Sequence, residues 1–561
     1  MMKENQEIKE VDVLIIGSGP AGLTCATVAA QKGLRVLLVE KAPVFGGTAA
    51  QSGGAIWIPN NPVQPQVGIE DNHTSAETYL KNVLKDKYDS ELINAFLQSG
   101  PEMVSYMEKN TPVKFSTFRF PDYFPDEEGA SWGRSLFSIS FDGTVLGSFV
   151  KKVRLPIIGY STAFGTMQVS AMEAGVFTSV FKNAKSFFTV TGRFFQYLWH
   201  LIRFGKGAHL ANGNALIGRL VKSNVDAKVE MWHNAPGLSL IQNKDRVEGA
   251  MVEYKGVPVK VIAKRGVVVA SGGFGANPHL REKYYLKPEG HLNANPEENV
   301  GDGILAALAV GAAMGEKKED QAVWAPTSVL KFKDGTYRRY PHFGPDRAKP
   351  GQIIVDISGK RFANEAAPYV PFVHTMKEKD INTAFLIADS RARAKYGLGF
   401  ALAKPYPDLG FSKSGYLISA PTIKELAHKL NISAEALEET VKTYNEHAKQ
   451  GHDPEFHKGE NSYDASQGDP QHKPNANVGP LEKAPFYAVK IHPGDVNSCV
   501  GIKINKNAQA VNEQGEAIEG LYAIGVDSNS IFQGVYPGGG SGIGPAMTFG
   551  YRAALHLADN K

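Results

Sequence analysis

The chain has 561 residues, of which 42% are hydrophobic, and a formal net charge of +4. This length predicts two or more domains, and so weak a charge does not indicate a nucleic-acid partner. The two cysteines, Cys25 and Cys499, lie far apart without the spacing of a metal or redox motif, which excludes a disulfide scaffold and favours a reducing, cytoplasmic compartment.

No targeting or membrane-spanning segment is predicted. The leading residues are charged rather than apolar, at Lys3, Glu4, Glu7, Lys9 and Glu10. No uninterrupted apolar run reaches the ~18 residues that a transmembrane helix needs.

The first elements form a complete dinucleotide-binding unit. Val11 to Ile16 predicts a buried parallel strand, and a helix of small residues follows from Leu23 to Lys32. A second apolar strand, Val36 to Val39, ends in Glu40. The turn between the first strand and the helix contains Gly17, Gly19 and Gly22. These glycines let a pyrophosphate approach the helix N-terminus, and Glu40 is placed to accept hydrogen bonds from ribose hydroxyls.

A second glycine cluster follows this unit and indicates FAD rather than NAD. Its members are Gly46, Gly47, Thr48, Gln51, Ser52, Gly53 and Gly54. A chain that passes along an extended flavin-bearing ligand needs such close approach, whereas a nicotinamide domain does not. Because no histidine lies between Glu40 and Gly54, we expect the FAD to be non-covalent.

Two later strands are expected to reach the same ligand. The strand that begins at Gly266 ends in Gly272 and Gly273, and the strand that begins at Gly520 reaches the cofactor at Gly525. Three such units from distant parts of the chain predict one FAD-binding domain assembled from both chain ends.

Two aromatic segments lie between these units, and ordinary packing can explain each of them. Phe120 to Pro125, an irregular segment bracketed by prolines, can be an aromatic plug over the flavin domain. Residues 174–225 contain no Asp or Glu, and they interleave aromatic with basic residues at roughly helical spacing. This pattern is typical of helices that lie in a membrane interface, here over about residues 176–206. An ordinary helical insertion packed on the flavin domain explains it equally well.

The region from about 316 to 498 is mixed and more polar, and we assign it to a cap domain. An alanine-rich helix, Ile304 to Met314, precedes it, and Gly351 to Ile357 predicts a strand inside it. Tyr369 follows shortly afterwards and can be a core tyrosine at a helix start.

The second half of this region predicts no catalytic group. Leu437 to Ala448 predicts an amphipathic surface helix behind an N-cap at Ser433. Residues 451–480, rich in Gly, Asp, Pro and His, predict an exposed loop, and their histidines have no metal-ligand spacing.

Near the C-terminus, Tyr536 lies in a glycine-rich stretch directly before an apolar helical pattern, Ala546 to Ala558. The glycines let the backbone approach a planar ligand, and amides that open a helix favour negative charge. Tyr536 and these amides could polarise a carbonyl oxygen held over the cofactor. Alternatively, the stretch is a glycine-rich loop that packs against a buried ligand, and Tyr536 only fills space there. We expect Ser541 and Ile543 to bind the cofactor.

Four stretches carry a resemblance to a known family. DVLIIGSGPAGL, FGGTAAQSGGAIWIPNN, GKRFANEAAPY and YPGGGSGIGPAMTFGYRAA resemble the FAD-dependent 3-ketosteroid dehydrogenases, within the fumarate reductase and succinate dehydrogenase flavoprotein group. The first stretch is common to many flavoproteins, whereas SGGAIWIPNN and YPGGGS are more specific to the steroid branch. The resemblance covers most of the chain except about residues 174–211.

The resemblance implies 1,2-dehydrogenation of a 3-ketosteroid, with Asp302 at the flavin ribityl chain or phosphates. The Tyr536 hydroxyl and the Gly540 amide would stabilise charge on the C3 oxygen. Tyr369 would take the C2 proton with Tyr123 donating to it, and FAD would accept hydride from C1. Because a phenol has an unperturbed pKa of about 10, its anion needs a donor or a positive field nearby.

Several alternatives stay open. A Δ4-(5α) dehydrogenase shares the flavin domain and a carbonyl-polarising loop. A fumarate-type reductase would need Arg and His near the flavin, for which Arg338, Arg339 and His342 are the candidates. A flavin-free lipid-binding protein is the non-enzymatic alternative, and the intact fingerprint argues against it. A pyridine nucleotide–disulfide reductase is excluded because its C-x4-C motif is absent.

Together these patterns predict an α/β architecture. A Rossmann-type FAD-binding domain comprises residues 1–298, with the basic aromatic insertion at about 174–211, and residues 499–561. An α+β catalytic cap domain, residues 299–498, is inserted between them. We expect no metal; a 3-ketosteroid as substrate; and a quinone or other carrier as electron acceptor. The protein could also be peripheral on the inner face of the cell membrane.

Overall fold

The computed structural model describes residues 7–159, 162–170, 173–285, 291–316 and 321–559. The α-helices, in chain order, are α1 Pro20–Gln31, α2 His73–Leu84, α3 Ser90–Asn110, α4 Ala174–Thr178, α5 Ala184–Phe204, α6 Asn212–Asp226, α7 Pro278–Tyr284, α8 Asp302–Ala309, α9 Tyr369–Glu378, α10 Ser390–Tyr396, α11 Ile423–Leu430, α12 Ala434–Ala448, α13 Ser462–Gln467 and α14 Ile543–Asp559.

The strands are β1 Glu7–Ile16, β2 Val36–Glu40, β3 Ala55–Trp57, β4 Phe115–Ser116, β5 Ser135–Ser138, β6 Phe141–Asp142, β7 Thr162–Ala163, β8 Met167–Gln168, β9 His209–Leu210, β10 Glu230–His233, β11 Gly237–Asn243, β12 Arg246–Tyr254, β13 Val257–Val269, β14 Leu292–Asn293, β15 Ala322–Trp324, β16 Thr327–Lys331, β17 Tyr337–Pro341, β18 Gln352–Asp356, β19 Ala384–Ala388, β20 Ile418–Ala420, β21 Phe486–Ile491, β22 Gly494–Ser498, β23 Gln509–Val511 and β24 Ala517–Ala523.

The largest sheet joins strands from both ends of the chain. Its order is β10-β2-β1-β13-β12-β24-β23, and β24 also pairs with β13. The strands that carry the predicted cofactor turns run parallel: β1 pairs with β2 and β13, and β13 pairs with β24. Their carboxyl ends therefore meet at one edge, which is where open α/β sheets bind ligands.

The dinucleotide turn has the close backbone packing that its glycines predict. Gly17 adopts a φ of +115°, and a Cβ added there would lie 2.1 Å from the carbonyl oxygen of Ala270. A Cβ on Gly22 would lie 2.1 Å from the Gly17 carbonyl oxygen. Helix α1 begins at Pro20, earlier than predicted, because proline suits the first helical turn.

A second, antiparallel sheet lies in the middle of the chain, in the order β18-β19-β21-β20. The apolar residues of this sheet belong to two separate core clusters. One of these clusters also includes Leu426 of α11 and Leu437 of α12. The strand predicted near Gly351 is β18, and the predicted amphipathic helix is α12.

The prediction of an exposed loop over residues 451–480 is wrong. The segment contains α13, and several of its polar residues are buried. Asp453 accepts two hydrogen bonds from Arg361 at 2.7 Å, and the Lys458 ammonium donates to the Gln352 carbonyl at 2.7 Å. The polar composition reflects internal partners rather than solvent.

The basic aromatic segment forms α4 and α5. A small cluster that includes Phe177, Val190 and Tyr197 joins them to β8. Within the described ranges of the chain, no helix is long and apolar enough to cross a membrane.

Candidate functional site

One cavity of about 500 Å³ runs from the dinucleotide turn to a group of tyrosines. Its lining includes Gly17 and Glu40 at one end and Tyr123, Tyr369 and Tyr536 at the other. The chain thus places the predicted cofactor residues and the predicted catalytic residues around the same space.

Glu40 is held in place at the nucleotide end. Its carboxylate accepts hydrogen bonds from the Ser18 amide at 3.0 Å, the Ser18 hydroxyl at 2.5 Å and the Ala42 amide at 2.8 Å. Burial raises the pKa of the Glu40 carboxyl, and these donors oppose that effect. A carboxylate fixed at the end of β2 suits the ribose hydroxyls of a dinucleotide.

The basic side chains among the described lining residues lie near Glu40 and are paired. Lys41 lies 2.7 Å from Asp302, and Arg154 lies 3.1 Å from Glu298. Asp302 is the first residue of α8, and its charge is compensated by Lys41.

Most of the predicted cofactor residues line the cavity: Gly17, Gly19, Glu40, Gly47, Thr48, Ser52, Gly53, Gly54, Gly272, Asp302, Gly525 and Ile543. Gly22, Gly273 and Ser541 are not among the lining residues. Gly22 allows α1 to pack on the turn, and the Gly273 amide donates to Asp527 at 2.8 Å. The Ser541 hydroxyl donates to the Gly538 carbonyl at 2.7 Å and so braces its own loop.

Asp527, which was not predicted to be part of the site, lies two residues after Gly525. It is fully buried, and it accepts hydrogen bonds from the amides of Ser271 and Gly273. Burial raises its pKa to about 6, against the effect of these donors. Asp527 therefore fixes the loop after β13, which contributes Gly272 to the cavity.

These features fit a non-covalent FAD. The N-cap of α1 is Gly19, whose lack of a side chain leaves the first amides of the helix open to a pyrophosphate. Gly54 adopts a φ of +69°, and a Cβ there would lie 2.4 Å from the Asn212 backbone. At the far end, α14 begins at Ile543, so its N-terminus faces the cavity and favours negative charge there.

Three tyrosines meet at the other end of the cavity. The ring centroids of Tyr369 lie 5.8 Å from Tyr123 and 5.4 Å from Tyr536, and Tyr123 and Tyr536 are 5.8 Å apart. The three rings therefore contact one another at this end of the cavity. Burial and the two neighbouring phenols raise the pKa of Tyr369 well above its usual value.

The Tyr536 loop brings backbone donors to the same point. Gly540 and Gly542 line the cavity together with Tyr536. Gly540 adopts a φ of +104°, and a Cβ there would lie 2.6 Å from the backbone of Ala55. Gly538 packs on the Trp57 ring, so the two sequence stretches specific to the steroid branch are in direct contact.

A buried polar group fixes Tyr123. The preceding residue, Asp122, accepts hydrogen bonds from Trp57 Nε1 and Arg134 Nη1, both at 2.8 Å, and from the Ser131 amide at 3.0 Å. The Tyr123 amide also donates to the Pro537 carbonyl at 3.0 Å. These bonds make Tyr123 part of the cavity wall.

Two aromatic residues at the site were not predicted. The centroid of the Tyr463 ring, on α13, lies 4.8 Å from that of Tyr123. The Phe343 ring lies 4.8 Å from Tyr369. Tyr463 falls in the segment predicted to be an exposed loop, so no local pattern marked it. Other apolar residues complete this end of the cavity: Phe118, Phe120, Phe137, Ile157 and Pro345.

The candidates for a fumarate-type site do not line the cavity. Arg338 is exposed on β17, and Arg339 packs on the Tyr337 ring. His342 is buried between Asp346, at 2.5 Å, and the Ser328 hydroxyl, at 2.7 Å. This cluster therefore has structural partners of its own.

Comparison with known proteins agrees with this geometry. Residues 12–543 match the family described as FAD binding domain. The chain is 38% identical to a 4-oxocyclohex-2-ene-1-carboxylate 5-dehydrogenase of Sinomonas cyclohexanicum, covering 99% of this chain and 95% of the relative. It is 36% identical to a 3-oxosteroid 1-dehydrogenase of Mycobacterium tuberculosis, covering 98% of this chain and 99% of the relative.

A solved structure is also similar over the full length. The 3-ketosteroid Δ1-dehydrogenase from Sterolibacterium denitrificans, in complex with 1,4-androstadiene-3,17-dione, superimposes with a TM-score of 0.89 at 34% identity. The superposition covers 99% of this chain and 100% of that one. The chain therefore belongs to the FAD-dependent 3-ketosteroid dehydrogenases of the fumarate reductase and succinate dehydrogenase flavoprotein group.

Proposed function

We propose that this protein removes the C1 and C2 hydrogens of a 3-ketosteroid. The observation that carries the proposal is the cluster of Tyr123, Tyr369 and Tyr536, whose rings contact one another in the cavity wall that Gly540 also lines. The cluster adjoins an apolar space inside the cavity that fits FAD. Similarity to the mycobacterial 3-oxosteroid 1-dehydrogenase supports the same reaction.

In this mechanism, the Tyr536 hydroxyl and the Gly540 amide bind the C3 oxygen and stabilise the negative charge that develops on it. This charge acidifies the C2–H bond, and Tyr369 takes the proton. Tyr123, whose ring centroid is 5.8 Å from that of Tyr369, would donate to the Tyr369 oxygen once that oxygen is an anion. FAD, when bound, supplies the acceptor for the hydride that leaves C1.

A second candidate substrate is a 4-oxocyclohexane carboxylate, because a relative acts on a compound of that class. A carboxylate is held best by a paired cation. Among the described lining residues, the basic side chains Lys41 and Arg154 lie at the Glu40 end and have their own partners. The phenylalanine-lined space beside the tyrosines therefore favours the uncharged, polycyclic ketone.

Substrate identity can be tested by mixing the purified yellow protein anaerobically with androst-4-ene-3,17-dione or 4-oxocyclohexane-1-carboxylate. We expect the steroid to bleach the flavin band and NMR to identify the 1,4-diene. Bleaching by the carboxylate alone would show that the substrate is the 4-oxocyclohexane carboxylate and not the steroid. A product with a new C4–C5 double bond, formed from a 5α-3-ketosteroid, would indicate the Δ4-(5α) reaction. A colourless protein that binds lipid would indicate the non-enzymatic alternative.

We further propose that α5 docks on an anionic membrane surface. Its outward face is apolar: Phe188 is 72% exposed, Trp199 58% and Ile202 80%. These residues and Phe195 are spaced by seven, four and three positions, so they lie along one side of the helix. Lys182, Lys185 and Arg203 are exposed at its ends.

The opposite face of α5 carries polar anchors. Arg193 lies 2.5 Å from Glu173, and the Tyr197 hydroxyl donates to the Phe164 carbonyl at 2.8 Å. The arrangement directs the apolar side away from the protein, as in a helix that lies in a lipid interface. Docking would bring the flavin enzyme to bilayer-dissolved steroid and to a lipid quinone as electron acceptor.

Replacing the outward apolar side chains with serine is expected to reduce sedimentation with phosphatidylserine-containing vesicles by tenfold or more. The substituted residues are Phe188, Phe195, Trp199 and Ile202. Activity with an artificial dye acceptor should persist, because none of them lines the cavity. Each basic residue near such a surface adds ~1 kcal/mol, so high salt should weaken binding of the wild type.

A matched control replaces four exposed apolar residues elsewhere with serine: Val145, Leu238, Val257 and Leu409. This variant should sediment like the wild type. Equal sedimentation of the α5 variant and the wild type would refute the docking proposal, and a change from dimer to monomer would assign the face to self-association instead.

A further inference from the structure

Tyr79 of α2 is fully buried, although it does not line the cavity. The centroid of its ring lies 6.2 Å from that of Trp57 and 5.5 Å from the guanidinium carbon of Arg134. A buried phenol hydroxyl is costly unless it is hydrogen-bonded, so its partners indicate what holds it there. Both partners of the Tyr79 hydroxyl belong to segments that carry tyrosines of the site.

The Tyr79 hydroxyl joins the segment of Tyr123 to the loop of Tyr536. It donates to the Pro537 carbonyl at 2.7 Å and accepts from the Phe124 amide at 3.3 Å. The Tyr123 amide donates to the same carbonyl at 3.0 Å. Two consecutive amides are thus tied to the residue after Tyr536, one directly and the other through the Tyr79 hydroxyl.

Buried ion pairs anchor α2 beside the same segment. Arg134 donates through Nε and Nη2, both at 2.8 Å, to Asp71, which lies two residues before α2. Its Nη1 donates at 2.8 Å to Asp122, directly before Tyr123. The three charged side chains are at most 1% exposed. Because a buried polar network with satisfied partners is rigid, the Tyr79 hydroxyl is a fixed point for the residues bonded to it.

Further bonds of the Tyr536 loop lie beyond Pro537. The Gly538 amide donates to the Ser541 hydroxyl at 3.0 Å, and the Gly540 carbonyl accepts from the Trp57 amide at 3.1 Å. These bonds hold the glycines of the loop to one another and to β3. The bonds at Pro537 act one residue from Tyr536, and they therefore fix the backbone next to its side chain.

We propose that Tyr79 is a positioning residue, whose hydroxyl holds the Tyr536 hydroxyl at the place where the ketone oxygen binds. This inference rests on the proposed function, in which Tyr536 stabilises negative charge on that oxygen. An oxyanion donor must lie about 2.7–3.1 Å from the oxygen, and a displacement of about 1 Å can lower a rate by ~10²-fold. Tyr79 acts through the loop, because it lies outside the cavity wall.

The test is Tyr79→Phe, assayed as FAD-loaded protein with androst-4-ene-3,17-dione and an artificial dye acceptor. This change removes the hydroxyl and keeps the ring. We expect kcat to fall by roughly tenfold, because the loop gains freedom at Pro537. KM should stay within about twofold of the wild type, since the apolar wall of the cavity is unchanged. Wild-type kcat in folded, FAD-loaded Tyr79→Phe would overturn the inference, because a merely structural role lowers Tm and leaves kcat unchanged.

A double variant shows whether Tyr79 acts through Tyr536. Residues that act as one unit have non-additive effects. Adding Tyr79→Phe to Tyr536→Phe should therefore lower kcat by less than about twofold more, because the hydroxyl that Tyr79 positions is already gone. A full tenfold further loss would show that Tyr79 acts independently of Tyr536, against the inference.

Tyr416→Phe is the matched control for Tyr79→Phe. Tyr416 is buried in the cap region and does not line the cavity. Its hydroxyl lies 2.8 Å from the Ser328 hydroxyl and accepts from the Phe400 amide at 3.1 Å, so the change also removes a buried, twice-bonded hydroxyl. This variant should keep the wild-type kcat. An equal fall in kcat would assign the effect to general destabilisation and overturn the inference.

A second replacement keeps the inference testable if Tyr79→Phe does not fold. Incorporation of 4-fluorophenylalanine at position 79 fills the space of the oxygen without donating a hydrogen bond. The same fall in kcat is expected, and wild-type kcat would again overturn the inference. Absence of both turnover and flavin bleaching in the wild type would instead refute the proposed function.

Discussion

Replacement of Tyr369 by phenylalanine is expected to abolish both exchange of the substrate C2 proton and hydride transfer, while FAD remains bound. The Tyr369 ring contacts those of Tyr123 and Tyr536, with centroids 5.8 and 5.4 Å away. A positioned general base contributes roughly 10²–10⁴ to the rate, and no carboxylate or histidine among the described lining residues is near these hydroxyls to replace it. Solvent exchange by NMR and anaerobic flavin reduction measure the two steps separately.

Tyr106→Phe provides the matched control for Tyr369→Phe. Tyr106 lies on α3, packs against Tyr551 with 5.4 Å between ring centroids, and does not line the cavity. Its variant should exchange and transfer hydride at the wild-type rate. Normal C2 exchange in Tyr369→Phe would show that another group, with Tyr123 the first candidate, takes the proton.

Replacement of Tyr536 by phenylalanine is expected to lower turnover by roughly 10²–10³, the usual cost of losing one oxyanion donor. The Gly540 amide would remain, because the loop is held by the Gly540 carbonyl, which accepts from the Trp57 amide at 3.1 Å. The loss should appear in kcat more than in KM, since the hydrogen bond strengthens as negative charge develops on the ketone oxygen.

The flavin content of Tyr536→Phe should equal that of the wild type, which shows that the FAD cavity is intact. The variant should also slow C2 exchange, because the ketone is less acidified. Wild-type turnover in this variant would remove Tyr536 from the oxyanion pair. Reduced exchange with unchanged hydride transfer would contradict the order of events proposed here.

The cofactor-binding half of the site could be predicted because its geometry is local. Gly17, Gly19 and Glu40 lie within one strand–turn–helix–strand unit, and the close contacts at the turn depend on its glycines. The pairing of β1, β13 and β24 with one another and with β2 followed from apolar strands, of which β1, β13 and β24 end in glycine turns and β2 ends in Glu40. Because the carboxyl ends of parallel strands meet at one edge of the sheet, where such sheets bind ligands, the sequence pattern predicted a cavity at that edge.

The catalytic end depends on contacts between distant segments. Tyr123, Tyr369, Tyr463 and Tyr536 come from separate parts of the chain. The resemblance to a family indicated three of them, whereas Tyr463 lay hidden in a segment whose polar composition suggested solvent. The polar residues of that segment in fact have buried partners: Asp453 bonds to Arg361, and Lys458 bonds to Gln352.

The sequence alone determined the flavin-binding unit and the presence of a basic aromatic segment, because both are properties of neighbouring residues. Only the tertiary structure decided which face of α5 turns outward, since Arg193 and Tyr197 find their partners on other segments. It also decided that the buried Arg347 guanidinium donates to backbone carbonyls, among them those of Phe343 and Glu365. The burial of a side chain and the charges around it depend on residues that are far apart in the sequence, so they are set only when the chain folds.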